Sequence, residues 1–139
     1  MVQYKAYIKL QIPQKDNIMG LSQYRFEITN CEYNFQRNIN SVGEPCSEIK
    51  GGTIKLSIVD LPSDILMIWM FDHTKRFNGE ITIVDTKDKT LEQTYFENAR
   101  CMDIHLNYKL ERSIQTITNL TISSDSIRIG NTYFEFINK

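Results

Sequence analysis

From Tyr24 to Phe35 the chain alternates apolar and polar residues with a period of two, and halfway along the alternation changes phase. Tyr24, Phe26 and Ile28 share one parity; Cys31, Tyr33 and Phe35 share the other. Successive side chains of a strand point to opposite faces, so an unbroken strand here would turn half of this apolar set towards water. A bulge or sharp bend at Asn30 is therefore expected. Sheets that bend in this way curl towards a barrel or a strongly coiled sandwich.

The same period recurs along most of the chain. Val2 to Ile12 reads as a strand with Val2, Tyr4, Ala6, Ile8, Leu10 and Ile12 on one face, stopped by Pro13, and 14–22 reads as a loop. Thr53 to Val59 turns Ile54, Leu56 and Ile58 inward. Beyond Gly79 further strands are expected at Glu80–Asp85, Leu91–Arg100, Cys101–Lys109, Ile114–Ser123, Ser126–Ile129 and Thr132–Ile137. Thr86–Lys89 and Gly130-Asn131 have hairpin-turn chemistry. Gln36 to Gly52, about 17 residues punctuated by Gly43, Pro45 and Gly51-Gly52, reads as neither helix nor strand. Loops beyond about 12 to 15 residues are uncommon in compact domains and usually functional or mobile.

One helix is expected, from Ser63 to Phe71 or Asp72, capped by Ser63 or Asp64. It is too short to be stable alone, so packing must hold it. Its seven unbroken apolar residues, Ile65 to Phe71, include Ile65, Leu66, Ile68, Trp69 and Phe71 and occupy every side. A helix apolar all round is enclosed by protein. One sheet covers only one side of it, and the surplus argues for an oligomer.

Asp72, His73, Lys75 and Arg76 follow at once and could be an active site or a solvated helix end. Neighbours at a helix terminus point in different directions, and basic residues there complement the helix dipole. The second reading is favoured. His105, the other histidine, falls on the polar phase of a strand.

Length and composition exclude several classes. A chain of 139 residues, 41% hydrophobic and 24% charged, is expected to form one domain over 1–139. Its net charge is −1 with no basic stripe, which argues against nucleic-acid or anionic-membrane partners. The N-terminal residues alternate and lack an apolar signal-peptide core. The longest apolar run is far short of the roughly 20 residues that span a bilayer. Folding in the cytoplasm is expected, with Cys31, Cys46 and Cys101 reduced. The chain has no HExxH, paired CxxC, GxSxG, P-loop or GxGxxG pattern, so no metal, cofactor or catalytic residue is assigned. The class is all-β with one short α-helix.

Four stretches, in order, resemble the tube protein of type VI secretion systems, the haemolysin-coregulated protein family, TssD branch. Tyr33 to Ile58 is similar to the family's aromatic strand, its G-x-P-x-S loop (here Gly43-Glu44-Pro45-Cys46-Ser47) and its G-G-x-I strand start. Asp64 to Val84 resembles its helix with Trp69 and the K-R-x-x-G-x-I turn at Lys75, Arg76, Gly79 and Ile81. Tyr95 to Tyr108 resembles its Phe-Glu-x-Ala strand and the strand after it. Asn119 to Asn131 resembles its closing T-I-S…I-x-I-G segment. The chain departs from the family's G-x-P-S-S at Cys46, from the Trp often found near its C-terminus, and in the bulk of Leu110 to Ile117.

The resemblance implies a β-barrel-like double sheet with a helix on one side and a long extended loop. It implies rings of about six subunits closed head to tail, stacked into a tube that a contracting sheath expels. Sheath, spike and small effector proteins are implied as partners, with assembly in the cytoplasm and secretion through the apparatus without a signal peptide. The loop, with Arg37, Asn38, Gly43, Glu44, Pro45, Ser47, Lys50, Gly51 and Gly52, would reach an adjacent ring or subunit. Ile65, Leu66, Ile68, Trp69 and Phe71 would pack the helix or lie near the lumen. Two other readings are a monomeric β-barrel that holds a ligand and a hydrolase using His73 or His105. A third is the tail-tube subunit of a phage-like contractile particle.

Overall fold

The computed structural model describes residues 4–13, 21–39, 42, 45–59, 63–111, 114–130 and 132–135. The strands are β1 (Lys5–Pro13), β2 (Leu21–Ile28), β3 (Asn30–Ile39), β4 (Pro45–Ile58), β5 (Phe77–Val84), β6 (Thr90–Leu110), β7 (Ile114–Ser124), β8 (Ser126–Ile129) and β9 (Thr132–Glu135). The helix α1 (Asp64–Phe71) lies between β4 and β5. All pairings are antiparallel, and the ladder runs β2-β1-β5-β6-β7-β4-β3, with β8 branching from β6 and β9 from β8. The barrel-like sheet does not close: β2 and β3, joined only through Thr29, end the path on opposite sides.

The bend expected at Asn30 is that junction. β2 pairs with β1 in one layer and β3 pairs with β4 in the other, so the change of phase marks the passage between layers. A second corner is β6, expected as two strands and found as one of 21 residues. Straight, it would extend roughly 70 Å at about 3.3 Å per residue, so it must curl. Its first half pairs with β5 and β8 and its second half with β7, with register shifts against both long partners. The shift against β5 encloses Asn98, whose φ is 55°. Asparagine tolerates that left-handed conformation better than most residues.

The inner face of the first layer is a set of transverse rows read directly from the register. Ile28, Ala6 and Ile83 form one row, Phe26, Ile8, Ile81 and Thr94 the next, and Tyr24, Leu10, Gly79, Phe96 and Ile127 the third. Ile54, Leu56 and Ile58 of β4 and Leu120 and Ile122 of β7 supply the facing layer, all within one core cluster. The outer face of the first layer carries Arg25, Lys9, Glu80, Tyr95 and Arg128 in register. There the guanidinium of Arg128 lies 4.4 Å from the Tyr95 ring centre, and that of Arg25 lies 3.8 Å from the ring of Tyr7 one row over. Tyr4, expected on the inner face, is exposed, because it precedes β1 where the core ends. Val2 and residues 14–20 of the expected loop lie outside the described residues.

Across the open seam the layers are bridged by side chains. The Tyr33 hydroxyl of β3 donates to Thr94 Oγ1 of β6 at 2.9 Å, and Cys31 and Phe35 pack beside it. Burial of that phenol pushes its pKa up.

Candidate functional site

The geometry of the helix region is that of packing. Helix α1 begins at Ser63, whose carbonyl accepts from Leu66 and Met67, but whose hydroxyl makes no capping bond, contrary to expectation. The helix is held by its buried side instead. Leu66 and Trp69 are both 1% exposed. The Trp69 indole N–H donates to the Ala99 carbonyl of β6 at 3.0 Å, and its ring lies 4.9 Å from that of Phe77. Tryptophan can be buried here because its one polar atom finds a partner.

The segment leaving the helix is pinned to the same part of β6. Gly79 faces Phe96 in register, and a Cβ at Gly79 would stand 2.5 Å from both the Lys9 carbonyl oxygen and Phe96 Cζ. Only glycine leaves the Phe96 ring room to lie across β5. Arg76 pairs with Asp125 at 3.8 Å, and Asp125 also accepts from the Asn98 side-chain amide. The Asn98 backbone N–H donates to Asn78 Oδ1 at 2.8 Å. Ser124 donates to the Glu97 carbonyl at 2.7 Å. Residues from three of the four resembling stretches thus meet at one joint: Trp69, Gly79, Phe96 and Ala99 inside it, Arg76 and Asp125 at its rim.

The other side of α1 has no cover among the described residues. Ile68 is 46% and Phe71 77% exposed, one turn apart on the same face. The five helix residues singled out from sequence therefore divide. Leu66 and Trp69 pack inward, Ile65 is half-buried against the core, and Ile68 and Phe71 project from the surface.

The expected loop at 36–52 is largely strand. Arg37 pairs opposite Ile49 and Ile39 opposite Pro45, which makes β3 and β4 an extended antiparallel arm with two register shifts. Polar and glycine-rich residues accept the strand conformation when a cross-strand partner is present, which a propensity reading does not register. Arg37, Asn38, Pro45, Ser47, Lys50 and Gly51 lie on that arm, and Gly52, opposite Phe35 and Ser124, is buried where the arm meets the core. Gly43 and Glu44 lie outside the described residues.

The charged residues after the helix are not brought together as a catalytic pair. Asp72 accepts from the Thr74 backbone N–H at 3.0 Å and from its hydroxyl at 2.6 Å, which holds its carboxyl below the usual range. His73 is exposed beyond it. His105 stands opposite Asn119, exposed, far along β6. No group of His, Cys, Asp and Glu with metal-holding geometry occurs among the described residues. No helix among the described residues is long and apolar enough to cross a membrane.

Solved structures with this fold are numerous. Hcp1 from Flavobacterium johnsoniae superposes with a TM-score of 0.71 at 19% identity, covering 92% of this chain and 98% of that one. Hcp1 from Salmonella typhimurium gives 0.67 at 9% identity, covering 96% and 95%. A chain of the anti-feeding prophage (AFP) baseplate gives 0.60 at 12% identity, covering 94% and 96%. No curated protein matches. The family model described as "Hemolysin coregulated protein Hcp (TssD)" matches residues 3–137. The chain therefore belongs to the Hcp (TssD) family, the tube proteins of type VI secretion systems.

Proposed function

We propose that the chain is the structural subunit of the inner tube of a type VI secretion apparatus, closing head to tail into rings of about six copies that stack into a tube. The family match over residues 3–137 carries this reading. Two features of the molecule agree with it. Among the described residues the outer edges of β2 and β3 carry no further strand, and such edges are normally covered or paired. The outer side of α1 offers large apolar side chains to a neighbour. Assembly in the cytoplasm precedes expulsion, with the sheath, a spike protein and small lumenal effectors as partners. The subunit contributes walls and contacts and no chemistry. The likeness to an anti-feeding prophage baseplate chain supports a second reading, the tail-tube subunit of a phage-like contractile particle.

Light scattering behind a sizing column, with micrographs of the peak, tests the proposal. Particles of about six subunits, ring-shaped in projection, are expected. A chain that stays monomeric at high concentration and moderate salt would favour a ligand-holding barrel instead.

A further inference from the structure

The open end of the first layer holds a cleft of about 450 Å³. Its floor is the row Ile28, Ala6 and Ile83, and Cys31 forms a wall just past the corner between the layers. Tyr4, Lys5 and Glu27 stand at its rim. The cleft is open to solvent and lined in part by Thr29 and Asn30, and its volume has room for an aromatic side chain. Two carboxylates stand around it against one ammonium group: Glu27 at the rim and Glu92 opposite Ile83 in register, against Lys5.

The convex counterpart is at the other end of β5. Ile68 and Phe71 form a knob on the outer side of α1, and the exposed Lys75 and Arg76 follow it. The ring of Trp69, on the same last turn of the helix, lies against Phe77 at the start of β5, whereas Ile83 of the cleft lies at its end. Six residues of strand separate the two by roughly 20 Å. A single copy cannot place its own knob in its own cleft. A repeat in which every copy meets the next through two different surfaces can.

We propose that the Ala6–Ile28–Ile83 cleft of each copy seats the Ile68–Phe71 knob of the next, an inference that rests on the tube-subunit reading. Phe71 fills the apolar floor beside Cys31, and Lys75, exposed after the helix, faces the acidic rim of the cleft, Arg76 being already paired with Asp125. The contact weakens with salt at its rim, where charges are exposed, and persists through the apolar seat.

The native thiol at the cleft makes the contact measurable. In Phe71→Cys protein, oxidation by copper phenanthroline or bridging with a short bis-maleimide is expected to give a ladder of covalent dimers and higher forms. Adding Cys31→Ser should cut its yield at least tenfold, although Cys46 and Cys101 remain. Phe71→Asp should lower the assembled fraction at a given concentration far more than Phe71→Leu does. Particles of ring mass without a Cys31-dependent ladder, or a ladder of equal yield in the F71C/C31S protein, would overturn the inference and leave the tube reading standing. A chain that light scattering finds monomeric throughout would overturn both.

Discussion

Replacing Trp69 tests whether the helix is held by its inner side, as the geometry requires. The side chain is 1% exposed, lies against Phe77, and donates its only polar hydrogen to the Ala99 carbonyl. Trp69→Ala removes the largest buried side chain of the helix and leaves a cavity between α1 and β6. Such changes cost about 3–5 kcal/mol, a large part of a total near 5–15 kcal/mol. Trp69→Phe keeps a ring beside Phe77 and removes the indole N–H, so about 1–2 kcal/mol is expected from the deprived carbonyl. Urea unfolding followed by far-ultraviolet circular dichroism measures both, since the chain has no other tryptophan to report by fluorescence. Protein concentration must be held fixed and low, because the proposed assembly would add stability by mass action. With a slope of about 2 kcal/mol per molar urea, Trp69→Ala should move the midpoint by about 2 M and Trp69→Phe by about 0.5–1 M. A shift under about 0.5 M for Trp69→Ala, with unchanged slope, would mean that α1 is not anchored through this residue.

Gly79→Ala drives a methyl group into the Lys9 carbonyl and the Phe96 ring. A loss of about 1–3 kcal/mol is expected, seen as a fall in melting temperature that a second change, Phe96→Leu, only partly restores because the Lys9 backbone remains; an unchanged melting temperature would refute the close approach. Burial pushes the Cys101 thiol up to about 11. A folded pKa above the unfolded one gives stability that is complete below about 8.5 and is lost as pH rises through about 11. Unfolding midpoints of Cys101→Ala should therefore fall less steeply than the parent's between those values, and parallel curves would refute the assignment.

Much of the fold was legible because strand alternation states which face is buried. The change of phase at Asn30 located a passage between layers, and Ile54, Leu56 and Ile58 turned inward as their parity required. Three features were not legible, each for a physical reason. The 36–52 arm is strand because its two sides pair with each other, a property of neither side alone. The division of β6 into two strands failed because a local bulge re-aims side chains without ending the hydrogen-bonded ladder. Asn98 gave no pattern signal at all; its one clue was residue type, since asparagine accepts a left-handed backbone.

The helix is the instructive case. Apolar residues on every side meant that periodicity could not say which of them would dock, and Trp69 and Phe71 alike stayed candidates for packing or for the lumen. The choice is made by β6, which offers the Ala99 carbonyl to one indole N–H and so fixes the rotation of the whole helix. Once Trp69 is anchored, helical geometry leaves Ile68 and Phe71 outside, whatever their hydrophobicity. The surplus that sequence could register only as excess thus becomes a directed surface. The same hydrogen bond that anchors α1 to β6 determines that Ile68 and Phe71 are the residues left on its outer side.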